Sequence, residues 1–207
     1  MRRWPRAKHR IVHPKMDVSE DIALGDALVA YFRRNHLPVD GGYTRKSYTI
    51  RTWPVRLRLP NTASHVAAVK MHDLHHLLTG YRTDWCGEGE MAAWELASGT
   101  PRPFIAFALD FLAVAAMVFR APRRLFVAFH KGTAAKNFYG RDYDTLLNFK
   151  IRDARSALKR EHPGSVAVSV LKFGILLCAI ALFYASALAL ALIAVAVAYI
   201  FFAHFAR

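Results

Sequence analysis

A chain of 207 residues has room for one compact domain with a short appendage, because domains typically contain about 50 to 250 residues. It carries 29 Lys and Arg against 15 Asp and Glu, a formal net charge of +14, yet 54% of its residues are apolar. This apolar content excludes a disordered basic tail, in which low hydrophobicity accompanies high net charge. The two cysteines, Cys86 and Cys178, are too far apart and too few to indicate a disulfide scaffold.

The basic and apolar residues occupy different parts of the chain. Residues 165–207 contain only Lys172 and Arg207 as charged residues, so residues 1–164 hold 27 of the 29 cations and all 15 acids. The 29 consecutive residues from Ile175 to Ala203 carry no Asp, Glu, Lys or Arg. Because about 20 apolar residues cross a bilayer core as a helix, we predict a C-terminal membrane anchor over residues 165–207.

The anchor is predicted as one long helix rather than a two-helix hairpin, since its middle, FYASALALAL, has no Gly, Pro, Asn or charge at which to turn. The positive-inside rule places residues 1–164 in the cytoplasm, at the inner membrane if the source is bacterial. Residues 1–16 form a basic arm without the apolar stretch of a secretory signal. The cations are spread through the domain without a nucleic-acid reader motif, so no nucleic-acid partner is expected.

In chain order, the sequence predicts an all-α domain over residues 17–164, a helical bundle with a short extended basic arm. The first helix begins near Asp17 and ends at Asn35. Alternation of Val55, Leu57 and Leu59 with arginines then predicts a short strand or extended arm. Helices follow over about residues 61–80, 84–99, 104–119 and 142–161, the first two ending at Gly80 and Gly99. The helix at 104–119 reaches only about 24 Å, so we expect it to be buried or to lie on the membrane surface.

The densest polar cluster lies between residues 71 and 95. His72 and His76 are four residues apart, so on a helix they share one face, the spacing at which two imidazoles bind one metal ion. Asp73 could add a carboxylate ligand or orient an imidazole, and Glu88 would come from the next helix. The pattern predicts a site for Zn²⁺, or for Fe²⁺ in a facial triad, although a solvated histidine-rich helix face remains the alternative.

Four further polar residues, His65, His75, Glu90 and Glu95, have other expected roles. His65 shares the face of His72, and we expect it to be a polar residue with its own partner rather than a ligand. His75 points about 100° away from His76, so the two histidines should not bind the same ion. Glu95 and Glu90 are the predicted proton-transfer residues.

The cluster also resembles a known family. HDLHH at residues 72–76, followed after eleven residues by Glu88, matches the HDxxH-x(11)-E signature of the coenzyme Q (ubiquinone) biosynthesis protein 4 family. Gly87 before the glutamate, Glu95 seven residues after it and the SGTP turn at residues 98–101 are similar to that family as well. The resemblance is clearest over about residues 65–105, and the basic arm and the long anchor depart from the family pattern.

The resemblance implies a mostly helical, membrane-associated protein of ubiquinone biosynthesis. Carried over to this chain, the ligands of a divalent metal, zinc before iron, would be His72, Asp73, His76 and Glu88. The implied partners are membrane lipid, a prenylated quinone precursor and other quinone-biosynthesis proteins, and dimerisation is left open. Family members have been assigned both a scaffolding role and oxidative removal of the ring carboxyl at carbon 1.

The residues and the resemblance are compatible with three functions. In the enzymatic one, a prenylated 4-hydroxybenzoate-type precursor lies along residues 104–119 with its ring near the metal, and oxidation requires iron or an acceptor such as O₂, because zinc has no redox chemistry. In the second, a metal closed by four protein ligands has a structural role in a scaffold or lipid-presenting module. The third is a membrane di-iron desaturase or hydroxylase, from HxxHH at residues 72–76, although such enzymes need several of these boxes.

Overall fold

The computed structural model describes residues 19–52, 55–99, 103–161 and 164–205. The predicted basic arm, residues 1–16, lies outside the described residues. Internal contacts divide the chain into two units, residues 1–161 and residues 162–207.

Helices dominate both units, which confirms the all-α prediction. The elements of the first unit are α1 (Leu24–Arg34), β1 (Ser47–Thr52), β2 (Val55–Pro60), α2 (Ala63–Thr79), α3 (Trp85–Ser98), α4 (Phe104–Met117), α5 (Pro122–Thr133), α6 (Tyr143–Leu147) and α7 (Ile151–Ala157). Among the described residues of the second unit, 164–205, there is one helix, α8 (Val166–Phe205).

Helix α1 begins later than predicted. Its first residue is Leu24 rather than a residue near Asp17, and Asp17 itself lies outside the described residues. The backbone before the helix pairs with another segment: the N–H of Ile151 donates to the carbonyl of Ile22 at 3.1 Å, and the N–H of Leu24 donates to the carbonyl of Phe149 at 2.8 Å. This pairing holds residues 20–23 outside the helix.

The same pairing corrects the prediction of one helix over residues 142–161. The structure has two short helices there, α6 and α7, separated at residues 148–150. Lys150 is extended, with φ −69° and ψ 148°, and forms an antiparallel bridge with Ala23. The backbone in the break is thus used for contact with the start of α1.

The predicted strand at residues 55–60 is present, and it has a partner that the sequence interpretation left out. Strands β1 and β2 form an antiparallel hairpin with register Ser47 to Pro60 and Thr52 to Val55. This hairpin corresponds to the short extended arm that the sequence predicts before α2, which is distinct from the basic arm at residues 1–16.

Helices α2 and α3 begin and end where predicted. The side chain of Thr62 accepts a hydrogen bond from the N–H of His65 at 3.2 Å, and that of Asp84 accepts one from the N–H of Gly87 at 2.9 Å. Gly80 ends α2 with a φ of 77°, a left-handed conformation that glycine adopts without strain.

Helix α3 lies at the centre of the first unit, where it packs most extensively against α5 and α4. Helix α5 was not predicted. It approaches α3 at Gly132, where a Cβ atom would lie 2.3 Å from the carbonyl oxygen of Trp94. The absence of a side chain at this position therefore sets the distance between the two helices.

The two apolar helices differ in length. Helix α4 has 14 residues, with Ala106, Asp110 and Val114 buried on one face and Phe104 and Phe107 exposed on the other. Helix α8 has 40 residues, so the tail forms one helix, as predicted. By length and composition α8 can cross a membrane, whereas α4 is too short.

Candidate metal centre

Three predicted ligands meet between α2 and α3. The Nε2 atoms of His72 and His76 lie 3.0 Å apart, and Oε2 of Glu88 lies 3.2 Å from the first and 3.5 Å from the second. The two histidines are one helical turn apart on α2, so their rings meet edge to face, with centroids 4.6 Å apart and planes at 82°. Glu88 enters from the first turn of α3.

The hydrogen bonds on the far side of each ring fix which nitrogen carries a proton. Nδ1 of His76 lies 3.0 Å from the carbonyl oxygen of Tyr81, which can only accept, so Nδ1 is the donor. Nδ1 of His72 lies 3.1 Å from Oε2 of Glu95 and donates to that carboxylate in the same way. In the neutral rings, both Nε2 atoms therefore present lone pairs to each other and to Glu88.

Such an arrangement requires a cation. Three acceptor atoms within 3.5 Å of one another repel unless a proton or a metal ion lies among them. Without a metal that cation is a proton on His72: burial lowers the pKa of His72, but the carboxylates of Glu95 and Glu88 outweigh burial and raise it well above its ordinary value. Burial likewise raises the pKa of Glu88, and His76 and His72 outweigh it and hold that pKa well below its usual range.

The three atoms also have the spacing of a zinc site. Bonds of about 2.0–2.1 Å meeting at tetrahedral angles hold ligand atoms about 3.3 Å apart. The observed separations of 3.0, 3.2 and 3.5 Å bracket that value. Two imidazoles and one carboxylate are a donor set that zinc and iron both accept, so the residues present fit a divalent metal.

Asp73 is the predicted ligand that the structure does not bring to this group. Its Oδ2 accepts a hydrogen bond of 2.7 Å from the hydroxyl of Tyr43. Adjacent residues on a helix point about 100° apart, so Asp73 faces a different neighbour from His72. Among the described residues, the groups of three closely spaced ligand atoms do not include Asp73.

Glu95 is fully buried and accepts three hydrogen bonds. The donors are Nδ1 of His72, Nδ1 of His75 at 2.5 Å and the hydroxyl of Tyr139 at 3.0 Å. Although burial raises the pKa of Glu95, the nearby histidines hold it well below its usual range, so the carboxylate is ionised. A carboxylate behind a ligating histidine fixes its tautomer and its orientation.

His75 has both ring nitrogens engaged away from the centre. Its Nε2 accepts a hydrogen bond of 2.8 Å from the backbone N–H of Phe138, so Nδ1 must carry the proton that is donated to Glu95. Burial lowers the pKa of His75, which favours this neutral ring. Both ring nitrogens of His75 therefore have partners other than the atoms around Glu88, in agreement with the expectation that His75 and His76 do not bind the same ion.

The second predicted proton-transfer residue, Glu90, has a different environment from Glu95. Both of its oxygens accept from Arg124, at 2.7 and 2.8 Å. Two residues after Glu88 on the same helix, Glu90 points about 200° away from it. The structure therefore brings Glu95, and not Glu90, into contact with the histidines.

Two further polar residues, His65 and Asp110, are buried. His65 bonds to Oδ1 of Asn61 at 2.7 Å and stacks on the ring of Tyr48 at 3.8 Å, so it has its own partners, as expected. Asp110 was missed as a site residue, although it is the lone acid in the apolar run at 104–119. It is buried, and it forms with His72 and Glu95 a second group whose ligand atoms lie within 4.8 Å of one another.

Comparisons with protein-family models, with curated proteins and with solved structures find no significant match to this chain.

Proposed function

We propose that this chain is a membrane-anchored, metal-dependent protein of ubiquinone biosynthesis that binds a prenylated aromatic acid. The observation that carries the proposal is the convergence of two imidazole lone pairs and one carboxylate at zinc-like spacing. The resemblance of residues 72–88 to the family signature supplies the pathway and the class of substrate.

The donor set favours catalysis over a purely structural metal. Structural zinc sites are closed by four protein ligands, whereas catalytic sites have three and an open position. Because Asp73 bonds to Tyr43 instead, His72, His76 and Glu88 make three. The Glu88 side chain is 38% exposed while that of His76 is 1% exposed, so the centre is accessible from the Glu88 side.

The reaction proposed is oxidative replacement of the ring carboxyl at carbon 1 by a hydroxyl group: the acid, O₂ and water give the phenol, CO₂ and H₂O₂, so that O₂ accepts the two electrons. A divalent cation held by these three residues would act as a Lewis acid, offsetting negative charge on the substrate oxygens as CO₂ leaves. Glu95 orients His72 by accepting a hydrogen bond from its Nδ1–H, and His75 and Tyr139 hold Glu95 in place. Zinc is favoured over iron as the resident metal on the family resemblance alone.

The two competing functions have less support. A scaffold or lipid-presenting module is the second candidate. A metal site closed by four protein ligands would favour it. A di-iron desaturase or hydroxylase would need His75 as an iron ligand. The Nε2 lone pair of His75 is already used by the N–H of Phe138, so the HxxHH box lacks one of its three ligands.

We further propose that α8 anchors the protein, with residues 1–164 on the cytoplasmic side and other quinone-biosynthesis proteins as partners. The length and apolar composition of α8 support the anchor, and the position of the cations before it supports the orientation. An anchored domain can reach a lipid-borne substrate without leaving the membrane surface.

Metal analysis of the purified full-length chain in detergent tests the centre. We expect one equivalent of zinc or iron in the wild type, and loss of that metal with loss of conversion of the carboxylated precursor in His72→Ala and Glu88→Ala. His65→Ala is the matched control, because it removes a histidine from the same helix that bonds elsewhere. Wild-type metal content, or wild-type conversion, in folded His72→Ala and Glu88→Ala would refute the proposal.

Mass spectrometry of lipids extracted from the same sample separates the two candidate functions. A prenylated aromatic acid together with iron, or with zinc that has an open coordination position, would favour the enzyme. A prenyl lipid together with zinc closed by four protein ligands would favour the lipid-presenting module.

A further inference from the structure

The surface of the first unit has its largest concentration of exposed apolar side chains along α4. Among the described residues of that unit, eight large apolar side chains are exposed, and four of them lie in the segment 104–119. These four are Phe104, Phe107, Leu112 and Phe119, with exposed fractions of 82, 44, 46 and 81%. Exposed apolar side chains without a function are usually scattered singly, so this concentration marks an interaction surface.

The exposed face of α4 contains no polar side chain. In FIAFALDFLAVAAM the one polar residue is Asp110, which is 4% exposed. At 1.5 Å per residue the helix is about 21 Å long, so it is too short to span a bilayer core of about 30 Å. An apolar helix of this length, with one face packed on the protein, suits the plane of a membrane interface.

Exposed cations adjoin this face. Arg120 follows the end of α4, and Arg123 lies in the first turn of α5, where Lys131 is also exposed. Over residues 104–133 the lone acid is the buried Asp110. The surface therefore combines apolar and cationic groups, which complement the acyl chains and the headgroups of anionic lipids.

A second copy of the chain complements this surface less well. Two copies paired through the same face would bring Arg120 and Arg123 toward the same cations of the other copy, and like charges repel. A bilayer containing anionic lipid supplies both an apolar layer and the opposite charge. The candidate span α8 gives a separate reason to expect a bilayer near this chain.

We infer that α4 lies in the membrane interface, with its exposed face in the acyl region and Arg120 and Arg123 at anionic headgroups, as a membrane contact additional to α8. The opposite face of α4 carries Asp110, which forms with His72 and Glu95 a group whose ligand atoms lie within 4.8 Å of one another. A helix with its side chains is about 10–12 Å wide, so docking of α4 would bring lipid to about that distance from the candidate centre. The inference goes beyond the proposed function and depends on neither a particular metal nor a particular substrate.

Fluorescence quenching by lipid tests the inference on the full-length protein in vesicles. An environment-sensitive fluorophore is attached at Leu112→Cys, in the exposed face of α4, after replacement of the native thiols by Cys86→Ser and Cys178→Ala. The quencher is a lipid with a nitroxide on its acyl chain, in phosphatidylcholine vesicles with or without phosphatidylglycerol. We expect quenching at Leu112→Cys that is stronger with phosphatidylglycerol. The same fluorophore at Ser156→Cys, an exposed position on α7, is the matched control and should not be quenched.

A pair of charge variants tests the cations. Arg120→Gln combined with Arg123→Gln should weaken docking roughly 30-fold on vesicles containing phosphatidylglycerol, at about fivefold per cation. Arg152→Gln combined with Lys159→Gln removes the same charge from exposed positions at α7 and should have little effect. An equal effect of the two pairs would attribute docking to the net charge of the chain and refute a local contact.

A pair of apolar variants tests the exposed face. Phe104→Ser should weaken docking roughly tenfold, because a buried phenylalanine is replaced by a polar side chain in the acyl region. Val39→Ser is the matched control, since Val39 is 72% exposed but lies outside α4. Both variants should keep the zinc content and the thermal midpoint of the wild type, because neither side chain belongs to the core.

Quenching at Leu112→Cys no stronger than at Ser156→Cys would overturn the inference, as would equal quenching with and without phosphatidylglycerol. Protection of Leu112→Cys from aqueous iodide that increases with protein density would identify a second copy as the occupant and would also overturn it. If the protein stays in the vesicles while Leu112→Cys is not quenched, the inference fails and the proposed anchor stands. If Leu112→Cys is quenched but the protein takes up no metal, the proposed function fails and the inference stands.

Discussion

Replacing Glu95 with glutamine should reverse the tautomer of His72 and so remove one of the three proposed metal ligands. Oε2 of Glu95 accepts from His72 and Tyr139, and Oε1 accepts from His75. Glutamine has one oxygen and one NH₂ group, so one of these two positions becomes a donor. In the variant, the NH₂ group must therefore either face another donor or have a partner that moves its own proton and becomes an acceptor.

The neighbouring bonds determine which partner changes. If the NH₂ group faced His75, that ring would have to accept at Nδ1 and carry its proton at Nε2, against the backbone N–H of Phe138. The NH₂ group is therefore expected to face His72 and Tyr139. The hydroxyl of Tyr139 can rotate to accept, whereas His72 must move its proton from Nδ1 to Nε2. A protonated Nε2 cannot bind a metal.

The size of the effect follows from the burial of the site. Glu95 and His75 are both 0% exposed, so water cannot replace the lost acceptor. Loss of a carboxylate that orients a ligating histidine typically weakens metal binding by about 10–100-fold. Leaving a buried partner unsatisfied costs about 1–3 kcal/mol of unfolding free energy.

Competition with a fluorescent zinc chelator measures the affinity, and thermal unfolding of the metal-free protein measures the stability. Glu90→Gln is the matched control: it makes the same change on the same helix, but its partner is Arg124. We expect Glu90→Gln to lose some stability and keep the zinc affinity of the wild type. Equal zinc affinity in Glu95→Gln and Glu90→Gln would refute the assigned tautomers.

Three other predictions concern packing, pH and the anchor. Gly132→Ala should lower the thermal midpoint by several degrees, because its Cβ would lie 2.3 Å from the Trp94 carbonyl, whereas Gly25→Ala, with its nearest atom at 3.5 Å, should be neutral or stabilising. Zinc affinity should fall as pH falls, beginning above pH 6.5, since the raised pKa of His72 makes protons compete with the metal; a flat profile from pH 8 to 6 would contradict this. Leu188→Asp should increase the fraction of the protein extracted from membranes at alkaline pH, because a charge at a helix centre costs about 2.5–3.5 kcal/mol, while Leu188→Ala should be extracted as little as the wild type.

Local rules were sufficient for the helices that carry the candidate site. Helices α2 and α3 begin after the capping residues Thr62 and Asp84, and each ends at a glycine. Helical spacing places His72 beside His76. These features depend on residues within a few positions of one another. The sequence therefore predicted both helices and three members of the group.

Features that depend on distant residues were not predicted. The break between α6 and α7 arises because residues 149–151 pair with the start of α1, about 125 residues earlier in the chain. The role of Glu95 depends on the N–H of Phe138, which fixes the tautomer of His75. Asp73 was expected at the metal because it adjoins His72 in sequence, but the hydroxyl of Tyr43 provides it with another partner.

The carbonyl of Tyr81 makes part of the centre unusually tolerant of mutation. It belongs to the backbone, so no side-chain replacement at position 81 deletes the acceptor that orients His76. Its position is instead set by the left-handed turn at Gly80 and by the short connection to Asp84. Insertions or deletions in this connection should therefore disturb the orientation of His76 more than substitutions do, and variation in loop length would be a sensitive indicator that the proposed metal centre is lost.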